Sequence, residues 1–351
     1  MFSFILSIFY FIIVLTIVVF VHEYGHFFIA KKCGVKIDEF SIGMGKKIFG
    51  FKDKDDVMWK VCCLPLGGYV KMYGDDNATS FGGYSDNPSK DALKYSLIYK
   101  HPLKKTAVAF AGPFMNFVLA FVLFFSVFNF HGKPVSIPVI GKVLKDSCAD
   151  KAGIKSGDTI LSVNGHKINT FNDIRFRLQY SGNELMNIKV SRGGKILNLQ
   201  TKYDKMGTFG IMSDKVKYSN LSFADALKES FYYTKDVTIK TMQAIWNIVM
   251  HQRGMKSIGG PIAIAKECAK AGHNGFWSLL YFIAMISVSL GAINLLPIPM
   301  LDGGHVVVNL IEFITRKRFS NFAYKIFVYI GIGCIALLMG IGLINDLFIN
   351  L

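Results

Sequence analysis

The sequence predicts a polytopic α-helical membrane protein, with four transmembrane helices, a membrane-associated β-hairpin and one inserted extracytoplasmic module rich in short strands. Three observations predict it. Hydrophobic residues fill 52% of the 351 positions and include 31 Phe, and mean hydropathy is +0.37, which is more apolar than an ordinary soluble enzyme. The apolar residues gather into four runs, each long enough to cross a bilayer, with Lys and Arg clustered at alternate ends. Between the second and third runs the composition turns polar and strand-like.

The runs cover about Phe4 to Ala30, Thr106 to Phe128, Phe276 to Leu296 and Tyr324 to Ile349. The first lacks a basic start and a small-residue cleavage site, so it reads as a span and not a removable leader. Lys31 and Lys32 follow it; Lys100, Lys104 and Lys105 precede the second; Arg316, Lys317, Arg318 and Lys325 lie between the third and fourth. Four alternating spans place these clusters on one side, which the positive-inside rule makes cytoplasmic. Both termini and the long segment between spans two and three then lie outside. The expected organisation is a first helix over 1–32, a hairpin or re-entrant region over 33–105 and a second helix over 106–130. A module over 136–204 follows, then an amphipathic helix and Gly-Pro loop over 205–275, a third helix over 276–305 and a fourth over 324–349.

A net charge of +16 raises nucleic acid as a partner, but the cations flank apolar runs and no nucleic-acid motif accompanies them. Their placement fits anionic headgroups of a lipid bilayer instead. The six cysteines form no CxxC pair, so they read as free thiols.

Within the first span stands His22-Glu23-Tyr24-Gly25-His26, an HExxH sequence. Residues four apart share a helix face, so both imidazoles can reach one metal ion. Glu23 is placed to act as general base toward a water that zinc acidifies. The two histidines lie roughly 13 and 7 Å inside the basic flank, a depth at which ionisable groups are costly and usually functional.

Two histidines leave zinc short of a protein ligand. The end of the third span supplies a candidate in Asn294-Leu295-Leu296-Pro297-Ile298-Pro299-Met300-Leu301-Asp302-Gly303-Gly304-His305. Polar and helix-breaking residues at that depth are tolerated only against protein or a water-filled cavity. Asp302 offers a hard oxygen ligand, or it serves as a helix cap or turn residue before two glycines. Asn294 is a candidate substrate contact, together with Pro297 and Pro299. His305 could compete as a ligand, although a supporting or packing role fits its neighbourhood better.

HEYGH in the first span with NLLPIPMLDGG after the third resembles the site-2 protease family, and most closely its bacterial regulator-of-sigma-E protease branch. Three further blocks carry the resemblance: Phe110-Ala111-Gly112-Pro113 with Asn116, Leu64-Pro65-Leu66-Gly67-Gly68-Tyr69-Val70-Lys71-Met72, and Gly259-Gly260-Pro261-Ile262-Ala263-Ile264-Ala265. The resemblance implies one Zn2+ held by His22, His26 and Asp302, Glu23 as general base, and Asn294 near the substrate. It implies a protease of the bacterial inner membrane, open toward the cytoplasm. The substrates implied are single-span membrane proteins, such as an anti-sigma factor or remnant signal peptides, already trimmed by another protease.

The stretch from Ser136 to Tyr203 contains Ala152-Gly153-Ile154-Lys155-Ser156-Gly157-Asp158-Thr159-Ile160-Leu161-Ser162-Val163-Asn164-Gly165, which resembles the PDZ signature of bacterial proteases. Some members of the branch carry two such domains, and this chain has room for one. Gly157-Asp158 suits a turn into a strand, Asn164-Gly165 a hairpin turn, and 172–180 a short helix. The module either binds a chain end by strand addition or acts as a steric filter. Val57 to Val61 and Gly68 to Met72 are expected to form a hairpin, which either is an ordinary cytoplasmic element or uses Gly67, Gly68 and Tyr69 to hold an extended substrate strand. Phe223 to Met250 reads as an amphipathic helix, and Gly259-Gly260-Pro261 as a turn leading to the third span. A membrane scaffold with a structural metal and a metal transporter are the rival readings. An open zinc position argues against the first, and the small number of ligand-bearing spans against the second.

Overall fold

An almost unbroken apolar sequence closed by Lys31 and Lys32 forms helix α1, Phe2–Lys32. Gly34, at a φ of +73°, then turns the chain out of the helix. The computed structural model describes residues 2–74, 89–171, 173–174, 177, 185–202, 209–213, 216–251 and 259–348. Four helices are long and apolar enough to cross a membrane: Leu6–Lys32, Pro102–Phe130, Phe276–Asn294 and Phe322–Leu347. They fall where the four apolar runs place them.

After α1, the chain forms two long bent strands, β1 (Ile37–Lys52) and β2 (Met58–Met72). The pairing differs from the expected one. The segments 58–61 and 68–72 are both extended, but they belong to one strand and do not pair with each other. Their partner is β1. Residues 37–42 run antiparallel to 68–72, and 47–52 antiparallel to 58–62. Residues 39–42 also lie beside 58–61, which leaves 68–72 at an edge among the described residues. Gly43 and Gly45, both at positive φ, interrupt the alternation of β1 and conceal it as a strand in the sequence. The sheet is pinned to α1 by aromatic packing: Phe40 stacks on Trp59 with ring centroids 4.4 Å apart and meets Phe20 and Phe27 edge-on at 5.6 Å.

A short helix α2 (Lys90–Tyr95) precedes α3 (Pro102–Phe130), which carries Pro113 inside it. Later in the same unit come α5 (Phe223–His251), α6 (Pro261–His273), α7 (Phe276–Asn294), α8 (Asp302–Thr315) and α9 (Asn321–Phe348). The expected helix at 223–250 is α5. Two helices depart from expectation. The turn at Gly259-Gly260-Pro261 opens a full helix, α6, because Asp346 caps it: the carboxylate accepts the amide protons of Gly260 and Ile262, each at 2.9 Å. A Cβ on Gly260 would lie 2.5 Å from Asp346 Oδ2. Likewise the third span ends at Asn294, and residues 295–301 bend into the separate helix α8. The first of these starts depends on a partner distant in sequence, the second on close backbone packing within residues 295–304.

These elements belong to one of two units, Met1–Val127 with Leu227–Leu351; the other is Phe128–Ala226. The second unit carries the short helix α4 (Cys148–Lys151) and centres on a four-stranded antiparallel sheet ordered β6-β5-β7-β8 (His166–Lys167, Thr159–Val163, Leu185–Arg192, Lys195–Lys202). It is wider than the expected 136–204, because β10 (Val216–Ser219) pairs with β3 (Lys133–Ser136) and β9 (Ile211–Met212) with β4 (Lys142–Val143). Asn164 and Gly165, at φ of 49° and 79°, form the expected hairpin turn. Of the expected helix at 172–180, residues 173, 174 and 177 are helical, and the rest lies outside the described residues. Ile160, Met186, Ile188 and Val190 fill the core. Asp158 is wholly buried and receives two charge-assisted bonds from Arg192, at 2.7 and 2.8 Å. Burial alone would raise its carboxyl, but the bonds from Arg192 and from the Lys155 amide hold it below the ordinary aspartate range.

Candidate metal centre

Helical periodicity brings His22 and His26 to one face of α1, with Nε2 atoms 3.2 Å apart. That face meets α3 at very short range. A Cβ on Gly25 would sit 2.4 Å from the Ala111 carbonyl oxygen, and one on Gly112 would sit 2.3 Å from His26 Nε2. Glycine at both positions lets the backbones approach until α3 touches the imidazoles.

The third group arrives from α8. Asp302 Oδ2 is 3.1 Å from His22 Nε2, and Oδ1 is 3.4 Å from His26 Nε2. Asp302 is the first residue of its helix, and the cap position belongs to Leu301. The bend before it is tight. A Cβ on Gly303 would meet the Leu295 oxygen, and one on Gly304 the Ile298 oxygen, each at 2.3 Å. The two glycines after Asp302 therefore let the 295–301 segment fold back over the start of α8.

The donor set fits zinc. One donor atom from each of His22, His26 and Asp302 lies within 4.8 Å of the others. The His22–His26 separation of 3.2 Å compares with about 3.3 Å for the edge of a tetrahedron built on Zn–N bonds of about 2.0–2.1 Å, and each imidazole has a different Asp302 oxygen beside it, at 3.1 and 3.4 Å. Asp302 Oδ2 is buried and has no hydrogen-bond partner among the described residues, although it stands close to an imidazole nitrogen. Approach without a satisfactory hydrogen bond is what atoms aimed at a shared cation show. His305 is buried one turn along α8 and is not among the converging donors.

Outer contacts orient the rings. His26 Nδ1 lies 2.8 Å from the Val108 carbonyl oxygen, so it carries the proton and Nε2 keeps its lone pair. His22 Nδ1 lies 3.1 Å from the Asn116 amide nitrogen, while Asn116 Oδ1 is buried without a partner among the described residues. Exchanging the two ends of the amide resolves both facts. Oδ1 then accepts the Nδ1 proton, and His22 Nε2 is left as a lone-pair donor. The Asn116 backbone is held in turn by Ser287, whose hydroxyl donates to its carbonyl at 2.8 Å.

The expected substrate contacts divide. Asn294 Nδ2 stands 3.5 Å from His22 Nε2, at the edge of the donor cluster. Gly68 lies directly against Glu23: a Cβ there would be 3.1 Å from Glu23 Cγ and 2.8 Å from the Ser41 oxygen. Gly67, at φ +90°, turns the strand just before that contact. Strand alternation sends the Tyr69 side chain elsewhere, and its hydroxyl donates to Glu39 at 3.2 Å. Pro297 is exposed on the connection to α8, and the Pro299 carbonyl oxygen packs against Gly331; neither side chain joins the donors. Gly112 and Asn116 carried the family likeness in sequence, yet nothing local assigned them a task. Their contacts with the imidazoles now do.

The comparisons agree with this chemistry. The family model described as Peptidase family M50 matches residues 10–338. A Rickettsia conorii protein named "Putative zinc metalloprotease" is 36% identical over 357 residues, covering 97% of this chain and 98% of that protein. Proteins of the same description from Campylobacter jejuni and Brucella suis are 35% and 33% identical, each across 96% of this chain and across 92% and 94% of their own. The chain belongs to peptidase family M50, the site-2 protease family, and is a zinc metalloprotease.

Proposed function

We propose that this protease hydrolyses peptide bonds inside the transmembrane segments of other membrane proteins. The observation that carries the proposal is the position of the donor cluster. His22 and His26 lie within an apolar helix that is long enough to span a bilayer, and Asp302 meets them there. A protease working on soluble chains has no need to sink its metal into a membrane helix.

In this reading His22, His26 and Asp302 hold one zinc ion. When bound, zinc polarises the scissile carbonyl and acidifies water. Glu23 takes the proton from the attacking water and passes it to the departing amide nitrogen. Asn294, beside His22, donates to the substrate backbone. A helical peptide bond is shielded, so the substrate must be extended locally before it is cut. The 68–72 edge of β2, with Gly68 against Glu23, is placed to pair with that extended strand. The hydrogen bond from Tyr69 to Glu39 supports a role in stiffening this edge instead of touching the substrate.

The wider setting is proposed on the same footing. The chain acts as a single-PDZ member of the regulator-of-sigma-E branch, in the bacterial inner membrane, with the centre open toward the cytoplasm and the 128–226 unit outside. The basic clusters at Lys31–Lys32, Lys100–Lys105 and Arg316–Arg318 support that orientation. Substrates are single-span proteins already shortened by another protease, such as an anti-sigma factor or remnant signal peptides. The test is to incubate the purified full chain with a single-span substrate and sequence the product ends by mass spectrometry. Ends within the apolar segment support the proposal, and ends confined to the polar flanks contradict it.

A further inference from the structure

Away from the metal centre, the start of α3 and the end of α8, with the 316–318 segment that follows it, line a cavity of about 500 Å³. Its lining is strongly basic. Lys100, Lys105, Arg316, Lys317 and Arg318 line the cavity, against the single carboxylate of Glu312. That carboxylate is itself engaged: it pairs with Lys105 in a buried ion pair and accepts the Phe319 amide at 2.8 Å. Apolar walls complete the lining, from Ile98, Pro102 and the exposed ring of Phe313. Arg318 is held over the Tyr99 ring at 5.7 Å, which fixes one guanidinium at the rim.

Two features separate this from an ordinary solvated run of charge. The cations come from separate stretches of chain, 100–105 and 316–318, and surround a concave site. The site also lies where a membrane helix begins, since Pro102 and Lys105 of the span Pro102–Phe130 are part of its lining. A ligand at that level meets polar solvent on one side and acyl chains on the other. The positive end of the α3 dipole points the same way.

We propose that this cavity binds the headgroup of an anionic phospholipid, with its phosphate diester among Lys100, Arg316, Lys317 and Arg318 and its glycerol end against Phe313. Planar guanidinium groups suit phosphate oxygens, and basic pockets between membrane helices suit such headgroups. The site is tied to the metal centre through α8. Glu312 is ten positions beyond Asp302 on that helix, roughly 15 Å along its axis. A bound headgroup would therefore brace the helix that presents Asp302. The inference rests on the membrane setting of the chain and not on which substrate it cuts.

The test uses the full chain in mixed micelles of phosphatidylglycerol and phosphatidylcholine, with retained lipid measured by native mass spectrometry. Wild type should retain phosphatidylglycerol preferentially. The triple variant Arg316→Gln/Lys317→Gln/Arg318→Gln should lose that preference by roughly tenfold or more. A charge-matched variant in the other unit, Lys145→Gln/Lys151→Gln/Lys195→Gln, should keep it. Lys100→Gln alone should weaken it, which covers the case of a triple variant that fails to fold. Added inorganic phosphate or a soluble polyglutamate should leave the lipid in place. Equal retention of both lipids, or an undiminished preference in the triple and Lys100 variants, would overturn the proposal. Displacement by phosphate would reassign the cavity to a free anion, and displacement by polyglutamate to an acidic protein segment; either also overturns it.

Discussion

Gly112 of α3 faces the ring of His26 so closely that a single added methyl carbon would sit 2.3 Å from Nε2. Turning the imidazole out of that space would strain its bond to the Val108 carbonyl. Gly112→Ala is therefore expected to weaken zinc binding by at least about 100-fold, beyond the usual effect of losing an outer contact, while the helices still form. Zinc content by atomic emission, alongside helicity by circular dichroism, checks this. Wild-type zinc content in the variant would show that α3 can retreat from the ring.

Asn116 supports His22 from the opposite side to the donors. Asn116→Ala removes the group that fixes its tautomer, with an expected loss of about 10–100-fold in metal affinity. Asn116→Asp, which keeps an acceptor at that position, should recover most of it. Competition with a chelator of known affinity reads both variants. If Ala and Asp weaken binding equally, the amide serves packing only.

Gly68 connects the β-sheet to Glu23, the proposed general base. Its absent side chain gives room to Glu23 Cγ on one side and the Ser41 carbonyl on the other. Gly68→Ala should displace either the strand edge or Glu23, and a misplacement near 1 Å can cost about 100-fold in rate. Zinc affinity should stay at the wild-type value, because no metal donor touches that position. A fall in cleavage rate with full zinc occupancy supports the placement; an unchanged rate argues that neither group needs it.

In the 128–226 unit, Asp158 and Arg192 form the polar anchor of the fold. The Asp158 carboxyl is held below its unfolded value, so it contributes stability above the ordinary aspartate pKa of about 3.9. That contribution disappears as pH falls through the lower folded value. Asp158→Asn should cost about 2 kcal/mol at neutral pH, and the difference from wild type should shrink as the solution is acidified past that range. Protease susceptibility of the unit across pH measures it. A gap that persists in acid would assign the effect to packing.

The sequence was most informative where structure is local. HExxH needs only helical spacing to bring His22 and His26 together, and the apolar runs need only length. Asn164-Gly165 likewise carries its own turn geometry. Partners remote in sequence were harder to read. Helix α6 is capped by Asp346, 86 positions away from Gly260, and no local pattern announces that cap. Strand β1 is masked by Gly43 and Gly45, whose positive φ values serve the bend of the sheet and break the alternation that would reveal it. Asp302 stood out because helix-breaking residues surround it, but only its approach to both imidazoles separates ligand from cap. Tyr69 lay within a suggestive motif, and strand alternation turned its side chain to Glu39.

The measurement that bears most directly on the central claim compares wild type with Glu23→Gln on a shortened single-span substrate, with zinc content determined on the same samples. The account predicts that the variant keeps its zinc and loses cleavage by at least about 100-fold, the share assigned to a general base. Cleavage by Glu23→Gln at the wild-type rate, with zinc in place and a chelator still abolishing it, would contradict Glu23 as the base.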